Sequence, residues 1–202
     1  MSPFDWFRSP PWREATIWAL DLETTGLDPK SAQILSVGMV PIREGTIRWG
    51  ERWYSLVRPE AVDQATTDAI RVHEILPDEL AEAPAVDEVV PRIAERLREG
   101  ALLVHWRTLD VAVLRREIAR AELDWPRPRI VDTADLLARL DRRRRLIEPH
   151  AEALPTQLRA AREALGLPPH LEHHALHDAQ ATAELFLALA ARMHLRTFRQ
   201  LR

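Results

Sequence analysis

The sequence of 202 residues contains no cysteine, which limits the kinds of site that the chain can build. Disulfide bonds and thiolate metal ligands are excluded. Any bound metal must be held by aspartate, glutamate or histidine, and such ligands favour magnesium or manganese. A metal-dependent function would have to rest on the acidic and histidine residues.

Long apolar runs, a secretion signal and excess positive charge are also missing. No apolar run approaches the roughly 20 residues of a membrane span, and residues 1–7 lack the pattern of a signal peptide. We therefore expect no membrane association and a cytoplasmic location. The formal net charge of −3 creates no overall attraction for a polyanion. Metals and local patches would have to hold a nucleic acid; a protein that never contacts one is the alternative.

The remaining composition is that of a globular protein. Hydrophobic residues make up 46% of the chain and charged residues 29%. This length suits one domain with a substantial core. We expect an N-terminal extension over residues 1–14 and a single domain over residues 15–202.

Three strands are predicted before any long helix. Apolar and β-branched residues mark Ala15–Leu22, Ile34–Ile42 and Ile47–Val57, and Arg43–Thr46 reads as a turn between the last two. Short connections of this kind join antiparallel neighbours. An antiparallel meander is therefore expected.

Helical spacing predominates after Pro59 and alternates with two short apolar strands. Thr108 is the expected N-cap of the third helix. This order predicts an α/β fold in which a mixed five-stranded sheet, three strands antiparallel and two parallel, is flanked by helices. The predicted helices are Thr66–Val72, Val86–Arg98, Thr108–Leu123, Thr133–Leu140, Thr156–Leu165 and His177–Met193, and the strands are Ala101–His105 and Ile130–Val131.

The connection from Arg142 to Pro155 begins with four consecutive arginines. Two roles fit such a run: contact with the phosphates of an incoming strand, and simple solvation in a loop.

Asp21 and Glu23 stand two residues apart at the end of the first strand. Because side chains alternate faces along a strand, both carboxylates project to the same side, while Leu20 and Leu22 face the core. Solvated acidic residues at a strand end are the plain alternative. The small residues that follow, from Thr24 to Gly26, favour close approach of a substrate.

Asp110 follows a buried strand, near the start of the next helix. A carboxylate there is favoured by the helix dipole alone. Its position after a strand is more informative, because catalytic side chains converge at strand ends in open sheets.

The segment His173–Ala179 places three histidines before Asp178. Two interpretations remain open: a histidine-rich zinc site, and a catalytic base beside a magnesium-binding carboxylate. His173 and His174 are neighbours and point in different directions, which favours the second. Two-metal hydrolysis needs several carboxylates and a base of near-neutral pKa, and this chain supplies both.

Three blocks of sequence resemble the DEDDh exonucleases, the family of the epsilon proofreading subunit of bacterial DNA polymerase III. They are Leu20–Pro29, Val104–Asp110 and His173–Ala179, in which the histidine stands five positions before the aspartate. Between them, Val72–Ile75 resembles the VHGI segment of the family and Val131–Thr133 its DT segment. The likeness extends from about Thr16 to Leu189.

The resemblance implies a ribonuclease H-like fold and an exonuclease domain over residues 15–202. It implies that Asp21, Glu23 and Asp178 ligate two metal ions. Asp110 would assist directly or through water, and His173 would be the general base. Relatives with a tyrosine base place it where this chain has His174, so the histidine subclass is favoured. Substrate contacts are expected from Thr24, Thr25, Leu27, His73, Trp106 and Leu109.

Two positions depart from the family pattern. Trp106 stands where the family commonly has asparagine, and it has two readings, stacking on a base or packing in the core. Glu74 stands where the family commonly has glycine, and it places a negative charge near the phosphate path.

These features predict a metal-dependent 3′–5′ exonuclease. It would hydrolyse single-stranded DNA from the 3′ end with two Mg²⁺ or Mn²⁺ ions and release nucleoside 5′-monophosphates. Its partners would be 3′ ends of single-stranded nucleic acid, DNA ahead of RNA, and a DNA polymerase. The alternatives are an exoribonuclease or oligonucleotide-trimming enzyme of the same superfamily, and an inactive scaffold associated with a polymerase.

Overall fold

The computed structural model describes residues 9–61 and 64–202. Six strands and seven α-helices make up the described part of the chain. The strands are β1 (Thr16–Thr24), β2 (Ile34–Arg43), β3 (Thr46–Ile47), β4 (Trp53–Leu56), β5 (Gly100–Val104) and β6 (Ile130–Asp132). The helices are α1 (Gln64–Val72), α2 (Pro77–Glu82), α3 (Val86–Arg98), α4 (Arg107–Arg120), α5 (Thr133–Ile147), α6 (Leu158–Ala164) and α7 (Ala175–Arg192).

The strands form one mixed sheet with β1 near its centre. β1 pairs antiparallel with β2 and parallel with β5, and β5 pairs parallel with β6. Both β3 and β4 pair antiparallel with β2. The predicted mixed sheet flanked by helices is confirmed. The predicted third strand is divided by a 3₁₀ turn at Trp49–Glu51, which contains Gly50, so six strands stand in place of five.

The two faces of β1 are covered by different helices, because its side chains alternate. Ile17 and Ala19 belong to a core cluster with Phe186 and Leu189 of α7. Trp18, Leu20 and Leu22 belong to a second cluster with residues of α3 and α4. Asp21 and Glu23 have the same parity as Ile17 and Ala19 and therefore lie on the α7 face of the sheet.

Several helix ends differ from the prediction. α4 begins at Arg107 and has Trp106 rather than Thr108 as its N-cap, because the Asp132 carboxylate accepts the N–H groups of Trp106 and Arg107 at 3.1 and 2.9 Å. α7 begins at Ala175, two residues before the predicted start, because the His174 side chain caps it.

The arginine run from Arg142 to Arg145 lies inside α5 and not in a loop, since this helix continues to Ile147. An ion pair between Asp141 and Arg145 at 3.9 Å, one helical turn apart, supports the extension. The short helix α2 was not predicted; Pro77 occupies its first position, and the Glu79 carboxylate accepts the Leu76 N–H at 3.1 Å.

Part of the predicted extension over residues 1–14 packs into the core. The Trp12 side chain is 1% exposed, its Nε1 donates to the Leu195 carbonyl at 2.9 Å, and its ring lies 5.0 Å from that of Phe186. Residues 1–8 of that predicted segment lie outside the described residues. Among the helices that the structure describes, none is long and apolar enough to cross a membrane.

Candidate active site

The end of strand β1 carries two carboxylates that face helix α7. Glu23 is buried and Asp21 is partly buried. Opposite Asp21 in the β-ladder lies Gly38 of β2. The sheet therefore presents Asp21 beside a residue that has no side chain.

Gly38 allows α7 to approach the sheet very closely. A Cβ atom at this position would lie 2.3 Å from the carbonyl carbon and oxygen of Ala175 and 2.4 Å from the Cα atom of Leu176. Such distances are far shorter than van der Waals contact, so no other residue fits here without a shift of the backbone. The first turn of α7 consequently sits directly over the carboxylates of β1.

The close approach brings Asp178 to the two strand carboxylates. One oxygen from each of Asp21, Glu23 and Asp178 lies within 4.8 Å of the others. In the part of the chain that the structure describes, this is the only group of three or more side chains suited to a metal ion. Three carboxylates form a hard-ligand set, and it fits Mg²⁺ or Mn²⁺.

The electrostatics of this group also favour a cation. Burial raises the pKa of Asp21 well above its usual range, and the charges of Asp110, Glu23 and Asp178 raise it further. The pKa of Asp178 is also raised, by burial and then by Glu23, although contacts with His170 and the His174 N–H oppose the shift. Without a cation the ionised carboxylates repel one another in a partly dry site, and divalent cations would remove that repulsion.

Asp110 lies close to this group but outside it. The side chain is 8% exposed, in the first turn of α4. Burial raises its pKa to about 7, with smaller contributions from the charges of Glu23 and Asp132; hydrogen bonds from the backbone N–H groups of Asp110 and Leu22 act in the opposite direction. The structure thus separates Asp110 from the three clustered carboxylates.

The three histidines that precede Asp178 have different surroundings. His173 is exposed, has a left-handed backbone with φ 62°, and its ring lies 6.3 Å from that of His73. The His174 ring stacks between Tyr54 and His177 at centroid distances of 4.8 and 4.5 Å. His173 therefore keeps an accessible ring, whereas His174 is held by its neighbours. The group of three ligating side chains found among the described residues consists of carboxylates.

His73 is placed beside a strand carboxylate. Its Nδ1 lies 2.8 Å from Glu23 Oε2. Burial acts to lower the pKa of His73, but the contact with Glu23, the backbone of Thr24 and the charge of Asp178 together outweigh it, so the pKa is raised. This contact orients the Glu23 side chain, in addition to the substrate contact expected for His73.

A mostly apolar groove of about 500 Å³ borders the carboxylates. This size falls within the range of small-molecule sites. The expected substrate residues Thr24, Thr25, Leu27, His73 and Leu109 all line it, together with Leu22, Glu23, Gly26, Asp68, Ala69, Val72 and His173.

The two threonine hydroxyls in this groove support the turn after β1. Thr24 Oγ1 donates to the Gly26 carbonyl at 2.8 Å, and Thr25 Oγ1 accepts the Gln33 N–H at 3.0 Å. Leu27, at the tip, is 87% exposed. The hydroxyls thus shape the loop that presents Leu27 to the groove.

Trp106 does not line the groove. Its side chain is 53% exposed, and its Nε1 donates to the Thr156 carbonyl at 3.1 Å. Trp106 is therefore not a core residue, which leaves stacking on a base as the remaining interpretation from the sequence.

Both departures from the family pattern occupy left-handed backbone positions. Glu74 has φ 53° and Trp106 has φ 64°. Glycine and asparagine tolerate this region, whereas a bulky residue is strained there. The backbone thus explains why glycine and asparagine are usual at these positions, and this chain keeps the backbone with less suitable residues.

Two residues near the site were missed from sequence. His170 Nε2 lies 2.9 Å from Asp178 Oδ1. Asp132, noted only as part of a motif, accepts hydrogen bonds from Trp106, Arg107 and Ala134 and so fixes the starts of both α4 and α5. His170 lies in an irregular segment with no periodicity to reveal its direction, whereas the position of Asp132 after a strand was a usable signal.

The fold and the carboxylate group are those of a nuclease. The family model described as exonuclease, RNase_T, matches residues 18–186. The chain therefore belongs to this exonuclease family, and the predicted membership of the 3′–5′ exonucleases is confirmed.

Curated relatives include the PolC-type DNA polymerase III of Thermotoga petrophila, 31% identical over 183 residues, which are 90% of this chain and 12% of that protein. A DNA polymerase III subunit epsilon-like protein of Rhodobacter capsulatus is 33% identical over 181 residues, 89% of this chain and 24% of that one. The chain thus spans no more than about a quarter of the length of these relatives.

Solved structures show the same fold. Exonuclease I of Methylocaldum szegediense superposes with a TM-score of 0.73 at 21% identity, covering 90% of this chain and 41% of that one. Exonuclease I of E. coli in complex with a dT13 oligonucleotide has a TM-score of 0.73 at 18% identity, covering 89% and 42%.

Proposed function

We propose that the protein is a 3′–5′ exonuclease that hydrolyses single-stranded DNA from its 3′ end and releases nucleoside 5′-monophosphates. The observation that carries this proposal is the group of three carboxylates within 4.8 Å of one another, beside an apolar groove and an exposed histidine. Two-metal phosphodiester hydrolysis needs these components.

In this proposal, Asp21, Glu23 and Asp178 hold two Mg²⁺ or Mn²⁺ ions, and Asp110 assists directly or through water. When bound, the ions polarise the phosphodiester and lower the pKa of the attacking water. The exposed His173 ring accepts the proton of that water as general base. His73 keeps Glu23 oriented through the 2.8 Å contact.

The groove would receive the terminal nucleoside. Leu27, Val72 and Leu109 offer apolar surface to a base, and a base has two apolar faces. A single strand is proposed because such a groove accepts an unpaired base and because a solved exonuclease I with this fold is in complex with dT13. Trp106 would stack on a neighbouring base outside the groove.

An association with a DNA polymerase is proposed from the relatives, since one is a PolC-type DNA polymerase III and another is epsilon-like. The site residues belong to an exonuclease domain over residues 15–202. A purely structural scaffold has no need of three clustered, mutually repelling carboxylates that are buried or partly buried, and the group argues against that alternative.

The proposal is tested by digesting 5′-labelled single-stranded DNA and RNA of one sequence, with and without Mg²⁺. We expect a Mg²⁺-dependent ladder that shortens from the 3′ end, more rapid on DNA, and nucleoside 5′-monophosphates as products. Asp21→Ala abolishes the ladder, whereas the matched control Asp124→Ala, at an exposed aspartate, leaves it unchanged. Intact DNA in the wild-type lanes would contradict the proposal. A ladder on RNA alone would instead identify the protein as an exoribonuclease.

A further inference from the structure

The Asp178 carboxylate contacts a histidine, His170, that the proposed mechanism does not use. His170 Nε2 lies 2.9 Å from Asp178 Oδ1, and the second carboxylate oxygen accepts the His174 N–H at 3.2 Å. The His170 side chain is only 9% exposed. Both oxygens of Asp178 therefore have a hydrogen-bond donor, one from a side chain and one from the backbone.

The segment that carries His170 is tied to α7 through a buried arginine. Arg162 of α6 is 1% exposed and donates to the Pro168 carbonyl at 2.9 Å. The same guanidinium donates to the Ala181 carbonyl at 2.8 Å and to the Glu184 carboxylate at 2.7 Å, both on α7. Pro168 and Pro169 restrict the backbone just before His170. The segment before His170 is thus joined to α7 through Arg162, in addition to the direct contact between His170 and Asp178.

The protonation of the His170 ring follows from its contacts. An ionised carboxylate only accepts hydrogen bonds, so Nε2 must carry the hydrogen. Within the described structure, Nδ1 is buried and has no hydrogen-bond partner. The contact therefore makes Nε2 the donor to Asp178 Oδ1.

We propose that His170 is a positioning residue that holds the Asp178 carboxylate in the orientation for cation binding beside Asp21 and Glu23. This inference rests on the proposed function, because it assigns a positioning residue to Asp178, one of the proposed metal ligands. A donor that fixes a ligating side chain raises metal affinity, and loss of such a partner typically costs about 10–100-fold in affinity.

The test compares two substitutions of similar length, one with an N–H donor and one without. His170→Gln keeps a donor, and His170→Met fills the space with an apolar side chain. Mn²⁺ is titrated into the metal-free proteins and its binding is measured by calorimetry. We expect affinity to fall about 10–100-fold in His170→Met and to be largely restored in His170→Gln. His150→Met, at an exposed histidine, is the control.

Equal Mn²⁺ affinity in the Met and Gln variants, or wild-type affinity in His170→Met, would overturn the inference. Thermal unfolding without metal shows whether the variants are folded, and His170→Leu replaces the Met variant if that one is not. If the wild type binds Mn²⁺ but cleaves no strand, the proposed function fails, and the difference between Met and Gln still decides the role of His170. A wild type that binds no Mn²⁺ contradicts both.

Discussion

Helices α4 and α7 each carry an aspartate in the first turn, at the end that lies by the candidate site. Asp110 is the fourth residue of α4, and Asp178 is the fourth residue of α7. A left-handed residue is the N-cap of α4, Trp106 at φ 64°, but at α7 the left-handed residue is His173 at φ 62°, one position before the extended N-cap His174 at φ −131°. The two aspartates therefore share a helix position, although the chain enters the two helices differently.

The side chains around the two aspartates differ. Asp178 lies with Asp21 in the group of three carboxylates, and a histidine and a backbone N–H hold its oxygens. Asp110 is buried outside that group, with a pKa near 7. From this difference we expect Asp178 to bind cations directly and Asp110 to have a supporting role.

The largest test of this difference exchanges each aspartate for asparagine. We expect Asp178→Asn to lower the cleavage rate of single-stranded DNA by about 10³-fold or more, because it removes a ligand of the reacting centre. Asp110→Asn should cost about 10–100-fold, as expected for an indirect partner. Rates are measured with saturating Mg²⁺. Equal losses would show that both aspartates bind metal directly and would end the distinction.

His173, which precedes α7, is expected to act in proton transfer and not in metal binding. We expect His173→Ala to lower the cleavage rate by about 10²–10⁴-fold, since it removes the general base. Mn²⁺ affinity, measured by calorimetry, should stay at the wild-type value because His173 is not in the carboxylate group. A large loss of Mn²⁺ affinity would instead make His173 a ligand.

On the α4 side, Trp106 is expected to act through stacking. Trp106→Asn should raise the KM for single-stranded DNA about tenfold, because one stacking contact contributes about 1–3 kcal/mol, and kcat should change little. Thermal stability should not fall, since asparagine tolerates a left-handed backbone. Trp106→Phe keeps an aromatic face but loses the hydrogen bond to Thr156; if it behaves like the Asn variant, stacking is not the cause.

The last prediction concerns how the free energy of unfolding of the metal-free protein depends on pH. The folded-state pKa of Asp110 is about 7, against a usual value of 3.8. Between about pH 4 and 7 the folded protein keeps a proton that the unfolded chain releases, so stability decreases as the pH rises through this window. Asp110→Asn removes that loss. Its unfolding midpoint in EDTA should exceed that of the wild type at pH 8 by several degrees, because about three pKa units correspond to at most about 4 kcal/mol and about 1 kcal/mol shifts the midpoint of a chain of this size by roughly 2–4 °C.

At pH 4 the Asp110→Asn variant and the wild type should unfold at nearly the same temperature. A constant difference at both pH values would show that Asp110 does not carry the proton, and the contrast with Asp178 would then need another explanation.

Regular elements with strong periodicity were predictable from the sequence. α3 has the predicted bounds, and β1 places Asp21 and Glu23 on one face as alternation requires. The starts of α4 and α7 were not predictable, because each depends on a cap, Asp132 or His174, whose contact forms only in the folded chain.

The candidate site was predictable as a set of residues but not as an arrangement. Strand alternation and motif order identified the acids, whereas the separation of Asp110 from the other three depends on how α4 and α7 pack. The contact of His170 with Asp178 arises in an irregular segment, where residue spacing carries no directional information.

The arrangement of the candidate site depends on the absence of a Cβ atom at Gly38. Gly38 has no side chain for the chemistry, yet the hydrogen in place of a Cβ leaves the space that the backbone of Ala175 and Leu176, in the first turn of α7, occupies against the sheet. A single methyl group there would act as a spacer between sheet and helix while every acidic and histidine side chain stayed in the sequence. A survey that recognises active members of this family by their acidic and histidine residues alone would therefore count such a chain as intact, and inspecting the position opposite Asp21 would reveal the error.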